Sequence, residues 1–194
     1  MRRIISTMQV SLDGMTERPD GRTDFIGTGA DTFDWDVFDQ SDACVLGRVM
    51  YPEYENYWRT IHADPTAPME WSGQPPTPDE VRYAEFANRT PHYMLSRTIG
   101  ELDWPVAQVV SDLDAIRELR ESDGGVIYVV GGPSTVSALI EQRLLDELRL
   151  TVHPFILGGG LPLFDKVHGE HRFDHVESIP LRAARVRMVF RAVR

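Results

Sequence analysis

Several short turns in this chain carry residue types suited to ligand chemistry. The stretch GVIYVV is apolar and β-branched, and it ends in Gly131, Gly132, Pro133, Ser134 and Thr135. The apolar run reads as a buried strand, and STVSALIEQRLL after it has near-helical spacing, so the two glycines fall in a strand-to-helix turn. The first N–H groups of a helix have no internal partner and lie at its positive end, and glycine lets a ligand come close to the backbone. Gly47 and Arg48 follow a second apolar run, DACVLG. Ser96, Arg97 and Thr98 follow HYML, and Asp13-Gly14 closes RIISTMQVSL. Leu157 ends RLTVHPFIL, and Gly158, Gly159 and Gly160 come next. Arginine and hydroxyl groups suit a ribose phosphate. A carboxylate such as Asp13 suits a substrate anchor or a proton donor. Each turn also has a plain reading: a tight Gly-Gly turn, a helix start with a surface arginine, a Ser/Thr cap, an Asp-Gly turn. Taken together they resemble a dinucleotide site without G-x-G-x-x-G spacing, and no P-loop pattern is present.

The elements that would position these turns alternate. Strands are predicted at RIISTMQVSL, DACVLG, HYML, QVVS, GVIYVV and DELRLTVHPFIL. Helices are predicted near Trp35–Gln40, in RVMYPEYENYW where Pro52 limits the helix, and in PDEVRYAEFANR, DLDAIRELRES and STVSALIEQRLL. The tail FDHVESIPLRAARVRMVFRAV reads as a terminal strand pair. This alternation indicates an α/β fold: three layers, a mostly parallel central sheet with helices on both faces, and an antiparallel C-terminal edge. In such a sheet ligands bind outside the carboxyl ends of the strands, where all these turns lie. Residues 61–78 hold five of the thirteen prolines and form a long loop, either a lid or a solvated insertion.

Bulk properties bound the function. A chain of 194 residues with 42% hydrophobic and 26% charged residues reads as one soluble globular domain over 1–194. A formal charge of −10 disfavours nucleic acid, and no run is long enough to span a membrane. The start MRRIISTMQVSLDG does not read as a signal peptide. Cys44 is the single cysteine, in an apolar run, and reads as a buried structural thiol of a cytoplasmic protein. His168, His171 and His175 have spacings that a helix could turn into metal ligands, but Gly169 breaks that helix, and no metal is expected.

The stretches MQVSLDG, VLGRVMY, LSRT and VVGGPSTVSALIEQRLLDELRLTVHPFILGGGLPLF resemble the dihydrofolate-reductase-like superfamily. The similarity is greatest to the C-terminal reductase domain of the riboflavin-biosynthesis deaminase–reductase and its stand-alone bacterial relatives. It runs from about residue 2 to the C-terminus. The resemblance implies a dihydrofolate-reductase-like sheet, NADPH as cofactor and a homodimer. It implies that Gly47 and Arg48 meet the cofactor's phosphates and that Ser96, Arg97 and Thr98 hold its 2′-phosphate side. Gly131, Gly132, Ser134 and Thr135 would wrap the pyrophosphate and nicotinamide ribose. Leu157 and Gly158 would border the nicotinamide, and Asp13 would sit by the substrate. Trp35, Trp58 and Trp71 are candidates to stack on a flat ring or to pack in the core or lid. Two positions depart from the pattern: Met50 stands where a threonine is usual, and Val130 stands where the riboflavin branch carries glutamate. A deaminase motif is absent. The activity implied is NADPH-dependent hydride transfer to a small heterocycle, like that of 5-amino-6-(5-phosphoribosylamino)uracil reductase. The alternatives are dihydrofolate reduction, for which Asp34 or Asp36 would have to supply the pterin-anchoring acid, and nucleotide binding without catalysis.

Overall fold

The computed structural model describes residues 1–26, 32–70 and 72–193. Trp71 lies outside the described residues. The chain runs β1 (Ile4–Ser11), β2 (Met15–Glu17), α1 (Trp35–Phe38), β3 (Ser41–Gly47), α2 (Tyr51–Ala63), α3 (Pro78–Arg89), β4 (His92–Leu95) and β5 (Ala107–Val110). It continues with α4 (Asp114–Glu121), β6 (Val126–Gly131), α5 (Pro133–Glu141), β7 (Glu147–His153), β8 (Leu161–Pro162), β9 (Phe173–Pro180) and β10 (Val186–Ala192).

One eight-stranded sheet has the order β5-β4-β3-β6-β1-β7-β10-β9. Its first six strands are parallel, and β10 and β9 close it antiparallel at the C-terminal edge. Alternation of side chains across a strand explains how both faces are buried. Ile127 and Val129 of β6, with Ala43 and Val45 of β3, join Ile116 of α4 and Val136, Leu139 and Ile140 of α5. Val126, Tyr128 and Val130 point the other way, with Cys44 and Leu46, into Val37, Phe38, Tyr54, Tyr83 and Phe86 from α1, α2 and α3. Truncating Ile127 or Leu139, both fully buried, to alanine would cost about 2–5 kcal/mol each by lost transfer energy and the cavity left behind. No helix among the described residues is long and apolar enough to cross a membrane.

Three local features differ from the sequence expectation. Pro52 does not limit α2. It occupies the first turn, where its missing N–H has no helical acceptor to lose, and the helix runs on to Ala63. The proline-rich loop therefore starts at Asp64, and Ile61 is fully buried beside Met69 and Ala84. The strand expected over 146–157 stops at His153. Pro154 cannot donate to a ladder, and the Phe155 N–H turns back to the His153 carbonyl. The pairing of β2 with β8 was not foreseen, since three and two residues are too short to show a period.

Candidate functional site

Because the strands are parallel, their carboxyl ends share one edge. Gly47 of β3 is in register with Leu95 of β4, Leu46 with Gly131 of β6, and Ser11 of β1 with His153 of β7. With neighbouring strands about 4.8 Å apart, the turns after β4, β3, β6, β1 and β7 follow one another along a rim of roughly 20 Å. The rim thus carries Ser96-Arg97-Thr98, Gly47-Arg48, Gly131-Gly132, Asp13-Gly14 and Leu157-Gly158, in that order.

At its centre the backbone is built for close approach. Gly131 and Gly132 have φ of +132° and +91°, values that side chains oppose. A Cβ on Gly47 would stand 2.6 Å from Thr135 Oγ1, and one on Gly131 would stand 3.3 Å from Met8 Sδ and 3.7 Å from Met50 Sδ. Thr135 is only 6% exposed, and its hydroxyl has no hydrogen-bond partner among the described residues. Its oxygen is not among the fully enclosed unpaired hydroxyls, which among the described residues are those of Ser6, Tyr51 and Ser137, so it reaches solvent at the rim. Pro133 has no N–H, and the N–H groups of Thr135 (2.9 Å) and Val136 (3.1 Å) meet the Gly132 carbonyl, so at the start of α5 the Ser134 N–H is left without a partner among the described residues. Ser134, in the first turn of α5, is exposed and accepts from Lys166 Nζ at 3.1 Å.

The flanking turns are more mixed. Arg48 and Arg97 are exposed, and among the described residues neither has an ion-pair partner. Thr98 is also exposed. The Ser96 hydroxyl is used locally, accepting from the N–H groups of Thr98 (3.2 Å) and Ile99 (3.0 Å), so it shapes its own turn.

Asp13 is tied into the opposite end of the rim. Its Oδ1 accepts from the Ser11 hydroxyl (2.6 Å) and the Leu157 N–H (3.1 Å), and its Oδ2 accepts from the Gly158 N–H (2.8 Å). The Ser11 bond and then the two amides hold the carboxyl well below its ordinary value, at about 2. Leu157 and Gly158 therefore turn their N–H groups to Asp13. A second tie lies alongside: β2 and β8 pair, Thr16 Oγ1 donates to the Leu161 carbonyl, and a Cβ on Gly160 would collide with the Glu17 carbonyl. Leu12, Phe155 and Ile156 form an exposed apolar border here, Ile156 being 76% exposed.

Below the rim, on the face of β1 and β7 that turns towards α1, lies a polar stripe. Asp34, the N-cap residue of α1, is 3% exposed. Both its oxygens take hydrogen bonds at 3.0 Å from Arg149 Nη1, and Arg187 Nη1 lies 3.4 Å away. Arg149 also donates to buried Glu147. Removing one member of such a buried set strands the others, at about 3–5 kcal/mol. Asp34 is thus committed to two guanidinium groups, and Asp36, two residues on, lies on the exposed side of α1. His153 bonds Gln9 at 2.7 Å, and burial followed by the charge of Arg185 lowers its pKa.

The remaining candidates sit elsewhere. Trp35 stacks on Phe33, lies under the Arg82 guanidinium and donates to Asp79, while Trp58 packs among Tyr54, Tyr57 and Tyr83. His168 and His171 meet Glu141, and His175 meets Ser178. Val130 is buried against the aromatic cluster. Burial raises the Cys44 thiol far above its ordinary value, so it is inert. Lys166 and Ser11 escaped the sequence reading. The signal for Lys166 was its being the only lysine in the chain. Nothing in the sequence pairs Ser11 with Asp13.

Comparison with known proteins bears on this rim. The family model of the RibD C-terminal domain matches residues 2–183. YyaP of Bacillus subtilis, an uncharacterized protein, is 30% identical over 84% of this chain and 80% of its own. A candidate riboflavin biosynthesis protein of Shewanella sp. PV-4 superposes with a TM-score of 0.72 at 20% identity, covering 99% of each chain. Dihydrofolate reductase of Enterococcus faecalis, solved with NADP(H), superposes with a TM-score of 0.61 at 14% identity, over 98% of this chain and 96% of that one.

Proposed function

The chain belongs to the RibD C-terminal domain family, and we propose that it is an NADPH-dependent reductase of a small heterocyclic substrate, with a single reductase domain over 1–194. The observation that carries this reading is the gap at Gly47: a hydroxyl, Thr135 Oγ1, stands without a partner where any side chain at position 47 would intrude. Beside it lie two positive-φ glycines and an uncapped helix start. The free N–H of Ser134, an unpaired hydroxyl and room for close backbone approach fit a diphosphate. On this reading Gly47, Gly131, Gly132, Ser134 and Thr135 hold the diphosphate, Arg48 neutralises it from the β3 turn, and Arg97 with Thr98 holds the adenosine phosphate. When bound, the cofactor supplies a hydride from its nicotinamide ring. Leu157 and Gly158 form the wall at that end.

Asp13 acts as a fixed carboxylate. Three donors stabilise its charged form, so at neutral pH it orients the wall and the substrate and does not supply the proton. The dihydrofolate alternative is the weaker one, because both oxygens of Asp34 are taken by Arg149 and the acid has no free edge for an amidine. The family favours a pyrimidine-type heterocycle, and Val130, standing where the riboflavin branch carries glutamate, argues against the riboflavin precursor itself.

The test compares melting temperatures with NADPH, NADH, FMN and a deazaflavin cofactor. NADPH is expected to stabilise most, by RT ln(1 + [L]/Kd). Replacing Arg97 by alanine should then shrink the NADPH-over-NADH preference by roughly tenfold, about one charge-assisted bond. An equal response to NADPH and NADH in the wild type would remove the 2′-phosphate site. Binding of NADPH with no oxidation across a panel of pyrimidine and pteridine substrates would favour the non-catalytic alternative.

A further inference from the structure

Lys166 is the only lysine of the chain and sits on the connection between β8 and β9. Its ammonium donates to Ser134 Oγ at 3.1 Å, in the first turn of α5. This is an unfavourable place for a lone cation, because the N-terminal end of a helix is itself positive. No carboxylate among the described residues comes within ion-pair distance of Lys166, although acidic residues outnumber basic ones 30 to 20 in the chain. A second feature is independent of the helix end. Thr135, the next residue, is more than nine-tenths buried, and its unpartnered hydroxyl faces the Gly47–Gly132 gap, 3.8 Å from where a Cβ on Gly132 would lie. An ammonium and an unpartnered hydroxyl thus stand at successive residues of the first turn of α5, at its positive end, and each can meet an anion.

We propose that Lys166 is a phosphate ligand: its ammonium closes over the diphosphate held at Ser134 and Thr135, supplying counter-charge from a segment far along the chain. This rests on the dinucleotide reading above and adds to it a residue that neither the turn pattern nor the helix provides. The chemistry recognised is a diphosphate ester, and free pyrophosphate offers the same oxygens without the nucleosides.

Reductive ¹³C-methylation of the full chain leaves one dimethyl-lysine signal, resolved from that of the N-terminal amine, with the charge kept. Its shift is followed during titration with sodium pyrophosphate, with NADPH, and with sodium chloride at matched ionic strength. The signal is expected to move with pyrophosphate and NADPH and to stay with chloride. In parallel, NADPH binding is followed by its fluorescence in unmethylated protein. Lys166→Gln should weaken it by roughly tenfold at low salt and flatten its salt dependence, and Lys166→Arg should retain most of it. If NADPH saturates the wild type yet leaves the lysine signal unmoved and the Lys166→Gln affinity unchanged, the proposal is overturned while the cofactor reading stands. If NADPH does not bind at all, the cofactor reading fails, and the pyrophosphate titration alone decides: a saturable shift upholds an anion site at Lys166, and none overturns it.

Discussion

The N–H of Gly158 meets Oδ2 of Asp13 at 2.8 Å, across 145 positions of sequence. With the Leu157 N–H on Oδ1, this clasps the turn after β1 to the loop after β7. The bonds require an ionised carboxyl, whose pKa falls from an ordinary 3.8 to about 2. A depressed carboxyl pKa stabilises the clasp fully above pH 4 and loses that contribution as the pH falls from about 4 through 2. Asp13→Asn keeps the shape but turns one acceptor into a donor facing an N–H. We expect faster amide exchange at Leu157 and Gly158, lost turnover and NADPH affinity changed by less than about threefold. Unchanged exchange at both amides would show that the clasp does not depend on the charge.

Gly47→Ala probes the central gap. Position 47 has no left-handed backbone, so alanine meets only the Thr135 hydroxyl, which can rotate away. Stability should change by less than about 1.5 kcal/mol in urea unfolding. NADPH affinity should fall at least about tenfold, because the methyl fills the approach to the diphosphate. Equal affinity in the variant and the wild type would place the phosphates elsewhere.

His92 makes stability depend on pH. It is fully buried, its Nδ1 donates to the Thr90 carbonyl at 2.7 Å, and its Nε2 accepts from the Tyr54 hydroxyl at 3.1 Å. A carbonyl can only accept, so this neutral tautomer is fixed, and Tyr54 in turn takes the proton of Tyr83. Burial lowers the His92 pKa from 6.5 to about 4. The unfolded chain therefore binds a proton that the folded one refuses. The contribution is complete above about pH 6.5 and shrinks as the pH falls towards 4, by about 3 kcal/mol. His92→Gln should flatten this leg of the stability–pH curve relative to wild type, measured by urea unfolding at pH 7 and pH 4.5. Parallel curves for the two proteins would exclude His92 as the source.

Much of this architecture was legible because it rests on period. The uninterrupted apolar run at Val126–Val130 announces a strand buried on both faces, and β6 is one. The turn glycines were legible because Gly131 and Gly132 need backbone angles that other residues resist. What escaped depends on distant partners. Asp34 reads as a candidate substrate acid until Arg149 and Arg187, from strands more than a hundred residues away, close on it. Lys166 acquires meaning only when the β8–β9 connection brings it to Ser134. Pro52 misled because the same ring that breaks a helix interior suits its first turn.

The small β2–β8 ribbon has a mechanical consequence. Gly160 presses so closely on the Glu17 carbonyl that the two segments cannot slide independently. With Asp13 bridging the same two segments, this end of the rim is a single stiff panel fastened at two points. Displacing either segment there would carry the other with it, so this end of the rim yields as one piece and not as a pair of loose strands.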